Sequence, residues 1–205
     1  GLLLEQAGRT LASGPLAEAI VALRLLAHLD PDDTVVLRDS VAEGSCVLTI
    51  ALHDIAQQPL QLVAGGAVAA AVLAIEGDKV WLVRRADNAP AAERTLASTP
   101  IARLQLNQGN RTLLAEGRAA RAAFCAAIEE WKLLMACALT GLAREALRLA
   151  ADYASERVQF GRPIGTFQAV SHPLADTAVH VDAGGLLAWR AMRAIADGAP
   201  EAGES

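Results

Sequence analysis

The chain has 205 residues, a formal net charge of −5, 53% hydrophobic residues and only 3% aromatics. That length suits one large domain or two small ones, and 20% charged residues beside so much apolar material excludes wholesale disorder. The acidic balance excludes the clustered Lys/Arg excess of a general nucleic-acid binder.

The apolar content is largely Ala, Leu and Val, which favours closely packed helices. Leu2, Leu3, Ala7 and Leu11 recur at helical spacing, and Gly14-Pro15 breaks the chain. A second helix is expected from Leu16 to Leu29, with Ile20, Leu23, Leu26 and Ala27 on one face. It stops at Asp30-Pro31-Asp32-Asp33, a turn whose side chains bond their own backbone. Cys46 to Leu52 is rich in strand formers, and the apolar run Val68 to Ile75 fits either strand or helix. Glu76-Gly77-Asp78-Lys79 reads as a hairpin turn before the strand Val80-Trp81-Leu82-Val83. Residues 86–100 read as a loop, and Ile101 to Leu106 alternates as a half-buried strand does.

After Asn107-Gln108-Gly109-Asn110 the character changes, and no proline occurs between Pro100 and Pro163. Residues 111–157 have helical periodicity; as a single helix they would extend about 65–70 Å, and division near Gly117 or Glu129 is expected. The run 160–165, with two glycines and a proline, is a corner. A last helix begins near Thr166, a capping residue, and continues to about Ala196 before a small, polar, frayed tail. Helices, then strands, then long helices make an α+β protein: a small central antiparallel β-domain followed by a long-helix up-and-down bundle.

No basic leader precedes an apolar core at the start, and the apolar stretch Leu62–Ile75 is shorter than the roughly 20 residues that cross a bilayer. The expectation is a cytoplasmic protein with no membrane span. Cys46, Cys125 and Cys137 form no CxxC pair, which fits a reducing compartment; Cys125 and Cys137 are expected as buried thiols. No metal site is expected: His172 and His180 stand two helical turns apart, too far for one ion. Glu129 and Glu130 point about 100° apart on a helix and read first as a solvated face.

One segment offers chemistry. The end of the long helix delivers Arg157 and Gln159, Phe160 and glycines shape the turn, and the next helix opens with Phe167-Gln168. A guanidinium suits a phosphate, an amide suits polar groups of a nucleotide, and an aromatic face packs on a base. Tyr153, Arg157, Gln159, Phe160, Gly161, Ile164, Phe167 and Gln168 resemble, at fixed spacing, the signature corner of the acyl-CoA dehydrogenase family. Leu174-Ala175-Asp176 and the small-residue stretch Leu139-Thr140-Gly141-Leu142-Ala143 are similar to that family too. More weakly, Glu5 to Arg9 with Gly14-Pro15 resembles the end of its N-terminal helical domain, and Leu48 to Leu52 the start of its β-domain.

The resemblance implies three parts: residues 1–33 as the end of a helical domain, 34–108 as a shortened β-domain, and 109–205 as the C-terminal helical bundle. It implies FAD, held through Arg157, Gln159, Phe160, Ile164, Phe167 and Gln168, the corner reaching the flavin of a neighbouring subunit. The implied reaction removes a proton from the α-carbon of an acyl-CoA thioester and a hydride from its β-carbon, in lipid or steroid side-chain metabolism. Electrons leave through an electron-transfer flavoprotein, and the partners are acyl-CoA dehydrogenase subunits in a homo- or hetero-oligomer.

Departures open an alternative. The early helices, the last helices and the usual Trp-containing flavin strand of the family are not found, and Pro173 interrupts the last helix. Some members place the catalytic base at the start of the long helix; there the spacing sets Trp131, beside Glu129 and Glu130 as weak candidates for the base. The alternative is a catalytically incomplete subunit that completes the FAD site of a heteromeric dehydrogenase.

Overall fold

The computed structural model describes residues 1–29, 34–85, 91–96 and 99–197. The expected turn at Asp30 to Asp33 and the tail beyond Asp197 lie outside the described residues, and the 86–100 loop is described only at 91–96 and 99–100. Two compact units form: Ser13–Trp131, and Gly1–Ala12 with Lys132–Ser205.

The first unit is the β-containing one. It begins with α2 (Leu16–Leu29), whose buried face carries Val21, Ala22, Leu25 and Leu26. A short α3 (Val35–Ala42) follows, unexpected from its sequence because its face holds no buried residue. The main sheet has the order β1-β3-β4-β6: β1 (Val47–Ile50), β3 (Ala69–Glu76), β4 (Lys79–Arg84) and β6 (Arg111–Glu116). Its β3–β4 and β4–β6 pairs are antiparallel, while β1 joins β3 in parallel. The ambiguous run at Val68–Ile75 is therefore a strand, nearly continuously buried as a central strand requires.

The hairpin turn falls where expected, with Glu76 opposite Lys79 and Gly77 at φ 63°. A second ladder pairs β2 (Leu60–Val63) with β5 (Ala102–Gln105) in antiparallel fashion. Val63, Ala102, Leu104 and Leu106 pack with Val72, Ala74 and Val83 in one apolar cluster, and Trp81 closes its side. Arg111 lies 4.1 Å over the Trp81 ring and pairs with Glu76.

One expectation is corrected here. Residues 111–116 are not helical: they form β6, paired from Glu116 opposite Lys79 to Arg111 opposite Val83. The helix starts only after Gly117, at φ 94°, a conformation that glycine adopts without strain. From Arg118 to Glu156 it then runs unbroken as α4, about 58 Å long, with no division at Glu129.

In the second unit, α1 (Leu2–Arg9) packs on the later part of α4 by way of glycines. A Cβ at Gly141 would stand 1.9 Å from the Glu5 carbonyl oxygen, and one at Gly8 would stand 1.8 Å from that of Ala138. That is the close contact expected of the small-residue stretch. Arg144 also pairs with Glu5, and Arg9 with Glu145 at 3.5 Å. After the corner come a 3-10 turn (Ile164–Thr166) and α5 (Gln168–Ala196), which continues through Pro173. Thr166 does not cap α5; its hydroxyl donates to the Pro163 carbonyl at 2.7 Å, and Phe167 holds the cap position.

No helix among the described residues is long and apolar enough to cross a membrane.

Candidate functional site

The corner between α4 and α5 is a miniature hairpin. β7 (Val158–Gln159) pairs antiparallel with β8 (Arg162–Pro163), and Ile164 N–H donates to the Arg157 carbonyl at 2.8 Å. Two loop residues remain, Phe160 at φ 52° and Gly161 at φ 79°. Both are left-handed, the pattern of a type I′ turn. Glycine suits this conformation; phenylalanine does not.

The hairpin turns its functional groups outward. Arg157, Gln159 and Gln168 are exposed, and Phe160 is 92% exposed. Among the described residues the Arg157 guanidinium has no ion-pair partner, and Gln159 Nε2 donates only to the Val158 carbonyl at 2.9 Å. Phe160 and Phe167 meet edge to face with centroids 6.0 Å apart, and Arg162 stacks 4.2 Å over Phe167. Ile164 and Phe167 are half-buried and anchor the corner. All six residues expected at the flavin thus lie within one turn of chain and its flanks. The free guanidinium, the amide and the outward ring suit a pyrophosphate and an adenine.

The candidate carboxylates lie in the other unit and do not share an environment. Glu130 pairs with Arg24 of α2 at 2.9 Å. Glu129 faces a groove of about 210 Å³, shared with Leu52, Asp54, Ile75, Arg121, Phe124, Cys125 and Ile128. Arg121, Cys125 and Glu129 recur every four residues on this face of α4. At the groove rim the Gly77 turn is fixed twice: Gly77 N–H donates to Asp54 Oδ2, and Arg121 Nη1 donates to the Gly77 carbonyl, each at 3.0 Å. Trp131 turns toward α2, its indole N–H donating to Glu18 Oε1 at 2.9 Å.

The thiols also separate. Cys137 is buried, and burial pushes its thiol pKa up; Cys46 is raised by the same cause. Cys125 is exposed on the groove, contrary to the expectation of burial, because its side of α4 is the polar-rimmed one. Among the described residues no three His, Cys, Asp or Glu gather to hold a metal.

Glu18 and the groove residues were not among the sequence candidates. Glu18 carries a signal, as the one acidic residue of α2 and on the face of Val21, Ala22 and Leu25. Asp54 carries none, since its role depends on a turn 23 residues away.

Residues 121–205 match the family described as "Acyl-CoA dehydrogenase, C-terminal domain". The chain is 32% identical over 184 residues to the protein named acyl-CoA dehydrogenase IpdE2 of Mycobacterium tuberculosis, covering 89% of this chain and 52% of that one. It is 32% identical over 208 residues to acyl-CoA dehydrogenase FadE34 of the same organism, covering 95% of this chain and 27% of that one. It therefore spans about half or less of these curated relatives. Among solved structures it is similar to a variant titled "Tcur3481-Tcur3483 steroid ACAD", with a TM-score of 0.79 and 30% identity over 98% of this chain and 61% of that one. It is similar also to the ChsE4-ChsE5 complex from Mycobacterium tuberculosis, with a TM-score of 0.73 and 26% identity over 95% of this chain and 60% of that one.

Proposed function

We propose, from the premise that the chain belongs to the acyl-CoA dehydrogenase family, that it works in the FAD-dependent α,β-dehydrogenation of an acyl-CoA thioester within a heteromer. The observation that carries this reading is the corner. It presents Arg157, Gln159 and Phe160 to solvent on a backbone that a purely structural turn would not choose. Arg157 would hold the pyrophosphate of an FAD in the neighbouring subunit, its planar donor fork meeting phosphate oxygens. Gln159 and Gln168 would make polar contacts beside it, Phe160 would pack at the adenine end, and Ile164 and Phe167 would brace the turn. When bound, FAD supplies the hydride acceptor.

In this reading residues 1–33 stand for the end of the helical domain, residues 34–116, through β6, for the shortened β-domain, and residues 117–205 for the C-terminal bundle, so the boundary expected at 108 moves to Gly117. Partner chains are other acyl-CoA dehydrogenase subunits, as in the solved complexes with two named components. A steroid or other lipid acyl group is the substrate class that fits the similarity to a steroid enzyme. An electron-transfer flavoprotein would take the electrons, in a cytoplasmic setting that accords with three free cysteines.

A second reading has its own support: a catalytically incomplete subunit. Trp131 occupies the base spacing, Glu130 is tied to Arg24 and Glu129 faces the groove.

Flavin retention tests the shared core of both. Arg157→Ala in the full chain, copurified with its partner subunit, is expected to weaken FAD binding by roughly 1.5–3 kcal/mol, on the order of ten- to hundredfold. Arg157→Lys restores only part, because a point charge does not form a bidentate pair. Full retention in Arg157→Ala, or no flavin in the wild type with any partner, overturns the assignment.

A further inference from the structure

Phe160 holds a backbone that phenylalanine disfavours, and the flavin reading needs it to stay there. Its φ of 52° is left-handed, and at 92% exposure no core packing fixes the ring. The aromatic neighbour of that ring is Phe167, edge to face, with centroids 6.0 Å apart and planes at 86°. Phe167 is anchored through its backbone. It stands at the cap position of α5, its N–H donates to the Ile164 carbonyl at 3.1 Å, and its carbonyl accepts the N–H groups of Val170 and Ser171 at 2.9 and 3.0 Å.

The freedom left to Phe167 is rotation of its ring, and Arg162 limits it. The Arg162 guanidinium lies 4.2 Å from the ring centroid. Arg162 stands opposite Gln159, as the pair that closes the two-residue loop, so both side chains leave one face of the ribbon. Among the described residues no carboxylate pairs with Arg162. A cation with no anion to draw it away, set over a ring, is held by the quadrupole of that ring. Guanidinium suits this better than ammonium, being planar and weakly hydrated. Contact therefore runs in series from Arg162 to Phe167 to Phe160.

We propose that Arg162 is the positioning residue of the corner: by pinning the Phe167 ring it keeps Phe160 left-handed and turned outward, ready for the adenine face of FAD. The assignment rests on the flavin reading above. It divides two tasks within one turn of chain. Arg157 serves the phosphates, and the Arg162–Phe167 pair serves the adenine through Phe160, with Arg162 itself making no contact to the ligand.

The test uses the full chain with the subunit it copurifies with, stripped of flavin, and two probes. ADP carries an adenine and a pyrophosphate; inorganic pyrophosphate carries the phosphates alone. Both affinities are read by titration calorimetry, with melting temperature in parallel. Arg162→Gln is expected to lower the ratio of ADP to pyrophosphate affinity about two- to fivefold, the worth of one exposed cation–π contact, with the melting temperature preserved. Arg162→Lys, which keeps the charge, restores pyrophosphate binding fully and ADP binding in part. Phe167→Leu lowers the ratio as well, and adding Arg162→Gln to it lowers the ratio no further, because the two residues act in series. Arg157→Ala, by contrast, weakens both probes. An unchanged ratio in Arg162→Gln, or a further loss in the double variant, overturns the proposal; if Arg157→Ala still weakens both probes, the flavin reading stands without it. A wild type that binds neither probe defeats the flavin reading itself, and the Arg162 assignment falls with it.

Discussion

Arg148 on α4 binds Glu145 one turn back at 2.6 Å and Asp152 one turn ahead at 2.5 Å. Its hydrogen bond holds the Glu145 carboxyl below the ordinary carboxylate range, with the charges of Arg148 and Arg9 adding to the effect. A carboxyl whose folded pKa is depressed contributes its stability above its unfolded value, about 4.5, and loses it as pH falls through the folded value. Arg148→Met is therefore expected to move the Glu145 titration midpoint upward, read by carbon-13 NMR. It should also remove a part of the acid dependence of unfolding below about pH 4.5. The effect on stability at neutral pH is small, because the pair is open to water and screened. The same scale explains what the site shows of itself in sequence. Arg157, Gln159 and Phe160 are legible because a turn motif is local. Glu18 shows in sequence only as an acidic residue on an apolar face; its partner Trp131 stands 113 positions away.

The elements of the chain are legible where packing agrees with propensity, and misread where pairing overrides it. The Leu16–Leu29 helix and the Glu76–Lys79 turn appear where periodicity and turn chemistry place them. Arg111 to Glu116 is composed largely of helix formers, yet it completes the sheet, because β4 offers an unpaired edge and Gly117 turns the chain. β2 hides within an uncharged stretch and is defined only by its partner β5, some 40 residues on. Glycines separate the two kinds of helix contact. Gly141→Ala is expected to destabilise the fold by about 1–3 kcal/mol, since the new methyl meets backbone that cannot yield. Gly184→Ala, with nothing within 4 Å, is expected to stabilise α5 by roughly 0.5–1 kcal/mol. Urea unfolding of the two variants checks both signs.

At the scale of the molecule, the second unit leaves much apolar surface bare. Leu139, Leu142, Leu149 and Tyr153 follow one another at three- and four-residue steps or their sum along α4, all exposed. On α5, Val179, Leu186 and Leu187 are exposed as well. Contiguous apolar surface of this kind marks an interface. Light scattering at micromolar concentration is expected to show an oligomer for the wild type. The Leu149→Glu, Leu186→Glu double variant should run smaller with its circular dichroism unchanged. A monodisperse wild-type monomer contradicts the expectation.

The left-handed Phe160 has an evolutionary consequence. A type I′ turn is most comfortable with Asn-Gly, and the chain already has Gly161 in the second place. One substitution, Phe160→Asn, would relax the backbone and at the same stroke delete the most exposed aromatic of the corner. On the proposed flavin-contacting role of Phe160, thermal selection and flavin selection pull this position in opposite directions. A lineage freed from its flavin would drift toward Asn or Gly at position 160 while leaving the rest of the bundle intact. On that proposed role, the residue at this one position is expected to differ between related chains that keep the flavin and chains that have lost it.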